Sequence, residues 1–206
     1  MAAVEFHFDF GSPNAYLAHL VVPQIEERTC IKFHYVPVLL GGVFKATNNL
    51  SPAVSLQGIK NKPQYQGIET RRFLAAYGIE GANPNPHFPV NTLQIMRGAI
   101  YAQKVGIFET YVDKVYEHIW RKGKKMDDPE VVAAALTEAG LPTQEIIAGM
   151  QDPEVKQALI DNTEASVERG TFGSPTFFLD DEIYFGKDKL RDVEETIAKL
   201  AGRATK

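Results

Sequence analysis

Apolar residues fall at every second position of Val4-Glu5-Phe6-His7-Phe8-Asp9-Phe10, the period of a strand with one buried face. The alternation stops at Gly11, and the pattern turns helical from about Pro13 to Arg28. Ser12 suits the cap of that helix, and Pro13 suits its first position, where a missing N–H costs nothing. A second strand is expected over Ile31–Val38. Far along the chain, Pro175 stands at the mouth of an apolar strand ending at Leu179, Asp180-Asp181-Glu182 marks a turn, and Ile183-Tyr184-Phe185 forms a short strand. Gly186 breaks it, and a final helix is expected from about Asp188 to Leu200.

The long middle segment is helical in pattern. Asn61–Tyr77, Asn91–Val105 and Phe108–Arg121 carry apolar residues at helical spacing. Two later helices open on Asp128-Pro129 and Asp152-Pro153, each a capping residue followed by proline, and another starts near Pro142. The order strand–helix–strand, helical segment, strand–turn–strand–helix is that of a thioredoxin-like α/β fold with a large all-helical insertion. Residues 1–50 and 170–206 would form the thioredoxin-like part, and residues 51–169 the insertion. That fold sets the N-terminus of its first helix beside a proline preceding its third strand, so the Ser174–Pro175 bond is expected to be cis. The usual redox motif at the helix start is Cys-x-x-Cys. Here the four residues are Ser12-Pro13-Asn14-Ala15, so the fold is kept without the dithiol.

Composition narrows the function classes. At 206 residues and 44% apolar content, the chain can bury a full core. A net charge of -4 argues against a general nucleic-acid binder. No run of eighteen apolar residues, charged-then-apolar leader or lipidation signal is visible, so no membrane partner is expected. The single cysteine, Cys30, excludes an intrachain disulfide and points to a reducing, intracellular compartment; it reads as a small buried apolar residue. The histidines (His7, His19, His34, His87 and His118) are scattered without metal-ligand spacing, so no metal is expected. His7 and Asp9 share a strand face, either as an acid–base pair or with His7 as a satisfied structural histidine. A hydrolase nucleophile at Ser12 lacks the Gly-x-Ser-x-Gly elbow.

A helix N-terminus offers unpaired N–H groups and the positive end of a dipole. Such a position lowers a thiol pKa, typically to about 3.5–7.5. Without its own thiol there, the chain could activate one brought by a cofactor, with Ser12 donating to the sulfur. Glutathione is the obvious soluble thiol. Peptide-like molecules can also pair with backbone beside the proline in the manner of strand addition. A non-catalytic peptide binder that lost its cysteines therefore stays open.

Further stretches carry a resemblance covering about residues 4 to 200: Phe8-Asp9-Phe10-Gly11-Ser12-Pro13, Pro37 to Lys45, Asn85 to Leu93, Gly173-Ser174-Pro175-Thr176-Phe177, and Phe185 to Leu190. In this order they resemble the 2-hydroxychromene-2-carboxylate isomerases and kappa-class glutathione transferases of the wider DsbA-like thioredoxin group. The resemblance implies glutathione as cofactor or substrate, with Ser12 at its sulfur. It implies Asn49, of the Asn48-Asn49 doublet, at the tripeptide or substrate, and Lys62 at the glycyl carboxylate. Ser174 and Pro175 would pair with the cysteinyl backbone, and Lys187 and Asp188 would hold the γ-glutamyl end. It further implies a cytoplasmic homodimer. In the isomerase reading a thiolate adds reversibly to a hydroxychromene carboxylate; in the transferase reading the thiol stays attached to an electrophile. Lys45, Arg97 and Asn49 are candidates for the substrate carboxylate, and Phe8, Phe44 and Trp120 for an aromatic pocket or for the core.

Overall fold

The computed structural model describes residues 4–204, with side chains through Leu200; residues 1–3 and 205–206 of the expected thioredoxin-like part lie outside the described residues. Four strands form the sheet: β1 (Val4–Phe8), β2 (Phe33–Pro37), β3 (Thr176–Leu179) and β4 (Glu182–Phe185). Their order is β2-β1-β3-β4, with β1 parallel to β2 and antiparallel to β3. Phe6 pairs across with Tyr35 on one side and Phe177 on the other, so the alternating aromatics of β1 become one inner layer. Phe6 and Phe177 stack at 5.0 Å between ring centroids, and Phe8 and Phe10 meet edge-to-face at 5.3 Å.

Helix α1 (Pro13–Thr29) follows β1, as its pattern predicts. Between β2 and β3 run α2 (Leu40–Thr47), α3 (Pro52–Ser55), α4 (Lys62–Tyr77), α5 (Leu93–Lys104), α6 (Phe108–Tyr116), α7 (Pro129–Glu138), α8 (Thr143–Gly149) and α9 (Pro153–Glu168). The Asp-Pro starts behave as the sequence implies: Asp128 accepts from Glu130 N–H, and Asp152 from Glu154 N–H. The helix expected over Phe108–Arg121 ends as α-helix at Tyr116 and continues as a π turn over Glu117–Arg121. The last helix, α10 (Leu190–Ala204), begins later than expected, because Lys187–Lys189 form a 3-10 turn. One core runs through sheet and helices. Among the described residues no helix is long and apolar enough to cross a membrane.

One expectation needs correction, and one helix is unforeseen in the sequence. Cys30 is exposed, not buried: it is the C-cap of α1 in the left-handed region at φ 56°, with its N–H bonded to Glu26 O, which turns its side chain outward. Helix α2 has no counterpart in the hydrophobic pattern. Its N-cap, Leu39, offers no capping side chain, and its first turn contains Gly41 and Gly42. Gly42 lets α2 pack closely on α9: a Cβ there would lie 3.1 Å from Thr163 Cγ2.

Candidate functional site

After β1 the chain turns at Phe10–Gly11, and Ser12, in extended conformation, caps α1, its Oγ accepting from Ala15 N–H at 3.1 Å. The same hydroxyl donates to the carbonyl of Ser174 at 2.7 Å. The Ser174–Pro175 bond is cis, as the fold requires. The helix N-terminus and the proline loop are thus joined through one hydroxyl. No acidic residue stands in the first turn of α1, whose N-terminus is the positive end of its dipole. Ser174 Oγ faces the other way, accepting from Asp9 N–H at 3.2 Å. The Ser174 backbone N–H has no protein acceptor among the described residues.

Asp9 sits three residues before Ser12 and is buried. Its Oδ1 accepts from Gly11 N–H at 2.8 Å and Thr92 Oγ1 at 2.7 Å, and its Oδ2 accepts from Leu40 N–H at 2.7 Å. It therefore caps α2 from a distance and pins the Ser12 loop to the start of α5. Burial raises the Asp9 pKa above its ordinary value, opposed by those three bonds. Packing at Gly11 is tight: a Cβ would lie 3.1 Å from Thr92 Cγ2 and 3.3 Å from Asp9 Oδ1. Sequence reasoning missed Asp9 as an organiser because its partners lie 31 and 83 residues away. His7 is no partner of Asp9: its Nδ1 meets Ser166 Oγ and its Nε2 meets Glu5 Oε2, each at 2.8 Å. It is the satisfied structural histidine, and burial lowers its pKa although Glu5 pulls it upward.

Trp120 closes the loop from the side, its Nε1 donating to Phe10 O at 2.8 Å and its ring stacking on Tyr16 at 6.4 Å. Phe88, half exposed beside the cis Phe88–Pro89 bond, packs on the same indole at 5.9 Å.

The remaining expected residues fall into separate groups. Asn48 is the left-handed cap of α2, whereas Asn49 Nδ2 donates to Phe172 O at 2.8 Å, two residues from Ser174. Lys187 is buried; its Nζ bonds Asp188 Oδ1 and lies 4.7 Å from the centre of the Phe73 ring of α4. The Asp188 side chain is 72% exposed, so this carboxylate can still receive a second cation. Lys62 opens α4 and is exposed. Lys45 and Arg97 line one cavity between α2, α5 and α9, whose lining includes neither Ser12 nor Ser174. Phe8 is wholly buried among Phe6, Phe10, Tyr35, Phe108 and Tyr116, so as placed it belongs to the core and presents no surface to a substrate. Trp120 is also buried.

Residues 3–198 match the family model of the DsbA-like thioredoxin domain. The chain is 27% identical to 2-hydroxychromene-2-carboxylate isomerase of Pseudomonas putida over 96% of its length and 95% of that protein's. It is 25% identical to glutathione S-transferase kappa 1 of Rattus norvegicus over 97% of its length and 90% of the relative's. A solved 2-hydroxychromene-2-carboxylate isomerase superposes with a TM-score of 0.84 at 26% identity, covering 98% of both chains. The cytosolic disulfide reductase DsbM from Pseudomonas aeruginosa with GSH, at 12% identity and a TM-score of 0.62, shares the fold.

Proposed function

We infer the function from one premise: the chain belongs to the DsbA-like thioredoxin domain family. We propose that it is a glutathione-dependent isomerase interconverting 2-hydroxychromene-2-carboxylate and trans-o-hydroxybenzylidenepyruvate. The observation that carries this reading is the Ser12 hydroxyl, held between the α1 N-terminus and the cis-proline loop. The full-length similarity to proteins named for that isomerisation supports it.

The residues fit glutathione. Ser12 offers an alcohol where a dithiol enzyme would place its own sulfur, so an incoming thiol meets a hydrogen-bond donor and no competing nucleophile. Its O–H now donates to the Ser174 carbonyl, and turning it toward a sulfur anion forfeits a bond worth about 1 kcal/mol net. A ligand amide donating to the same carbonyl offsets that loss, while the Ser174 N–H supplies a donor in return. Asp188 receives the γ-glutamyl ammonium, Lys187 its carboxylate, and Lys62 the glycyl carboxylate. Asn49 steadies the loop carrying Ser174 through Phe172. When bound, glutathione supplies a thiolate that adds reversibly to the conjugated carbon, lets the ring open and the adjacent bond rotate, and leaves unchanged. Every other contribution is the chain's: binding, orientation, and holding the thiol deprotonated at neutral pH.

Thermal unfolding with and without glutathione tests the binding; at a concentration 100 times Kd the linked stabilisation is about 2.7 kcal/mol. The ultraviolet thiolate band of bound glutathione at neutral pH tests the role of Ser12. The band should weaken in Ser12→Ala, and an undiminished band there refutes it. The kappa-class relative favours a second reading, conjugation of the same thiolate to an electrophile. An assay with hydroxychromene carboxylate separates the two: recovery of free glutathione marks isomerisation, and a stable conjugate marks transfer.

A further inference from the structure

The cavity between α2, α5 and α9 holds about 390 Å³, within the range of sites that enclose small organic molecules. Leu39, Leu93, Leu159, Ile160 and Val167 give it an apolar wall. Its polar lining is unbalanced. Lys45, Arg97 and Lys156 face it with one carboxylate, Glu164, and none of these four takes part in a salt bridge among the described residues. Arg97 Nε is fully buried and has no hydrogen-bond partner among the described residues. That atom has no accessible surface as placed, so the outer guanidinium nitrogens, which likewise make no hydrogen bond or salt bridge among the described residues, are the part of Arg97 that can meet an anion in the cavity. Thr163, by contrast, is satisfied, accepting from Leu39 N–H at 2.9 Å and donating to Leu159 O at 2.7 Å.

We propose that this cavity is a binding site for apolar organic carboxylates, separate from the Ser12 site. The carboxylate lies on Arg97, flanked by Lys45 and Lys156, and the hydrocarbon lies against the leucines and Ile160. An inorganic anion would leave the apolar wall uncovered, and a neutral hydrocarbon would leave three cations facing one carboxylate. The guanidinium fork matches a carboxylate in shape as well as charge. This site stands independently of glutathione chemistry, because no residue assigned to the thiol site lines it.

Calorimetric titration of the full chain with 1-naphthoate, without glutathione, tests the proposal. The wild type should bind saturably with one equivalent. Arg97→Gln should weaken binding at least tenfold, and the methyl ester of the same acid should bind at least tenfold more weakly than the acid. Ile160→Glu, at a half-exposed position, places a repelling charge in the lining without removing the guanidinium; it should also weaken the acid at least tenfold. Ser12→Ala should leave Kd within twofold. Binding of acid and ester alike, retention of affinity in both Arg97→Gln and Ile160→Glu, or loss of affinity in Ser12→Ala would each overturn the assignment. Failure of glutathione to bind would leave it untouched.

Discussion

Replacing Asp9 by asparagine probes the organiser of the site with almost no change in shape. The carboxylate accepts three hydrogen bonds, from Gly11 N–H, Thr92 Oγ1 and Leu40 N–H. An amide has one accepting oxygen, so in either orientation its NH₂ group confronts a backbone N–H, of Gly11 or of Leu40. One buried N–H left unpaired costs about 1–3 kcal/mol. The cost should also vary with pH. Burial raises the folded pKa of Asp9, so the wild type binds more protons folded than unfolded above about pH 4. Its contribution is therefore full below the unfolded pKa and declines as pH rises through the folded value. Asparagine carries no such slope, so Asp9→Asn should be more destabilising, relative to wild type, near pH 4 than at pH 7. Urea unfolding followed by fluorescence suits the measurement, because the sole tryptophan, Trp120, is bonded to Phe10 O beside the affected loop. A change below about 0.5 kcal/mol at both pH values, or a penalty that grows toward neutral pH, would refute the account.

Ser12→Ala removes the acceptor of Ala15 N–H and the donor to Ser174 O, so a loss of about 1 kcal/mol in stability is expected in urea titrations without glutathione. Gly98→Ala should destabilise by about 1–3 kcal/mol or more, measured by thermal unfolding, because the added Cβ would overlap the buried Tyr111 hydroxyl and sit 2.8 Å from Met150 Cε. Cys30, exposed at the end of α1, should react with one equivalent of a thiol reagent in the native protein; protection until unfolding would contradict its placement. The Glu117 carboxyl, bonded by Lys114 and Lys122, should titrate at about 2 by NMR in low salt and move up toward its ordinary value in high salt.

What could be read from the chain and what could not divide by the range of the interactions involved. The strand β1, the Ser12-Pro13 helix start and the Asp-Pro starts of α7 and α9 are written in neighbouring residues, since a cap and its N–H lie within three positions of each other. Helix α2 is written nowhere locally. It carries two glycines and no capping side chain, and its start is satisfied by Asp9 from another strand's end. The Cys30 error has the same root: its side chain points outward because a left-handed cap residue reverses the chain, and periodicity is blind to a sign change in φ. Phe8 and Lys45 show the limit for site residues. Both sit on elements that reach the Ser12 end of the sheet, yet one side chain turns into the aromatic core and the other into the α2–α9 cavity. Sequence order locates the helix tip and the cis proline because those are backbone features of the topology. Which side chains surround them depends on packing between segments that Asp9 draws together from 31 and 83 residues away. A site built on a distant carboxylate is thus sensitive to changes far from Ser12: a Thr92 substitution that removes the Oγ1 donor should shift the same Trp120 signal as Asp9→Asn, and the two effects should fall short of adding, because both act on one network.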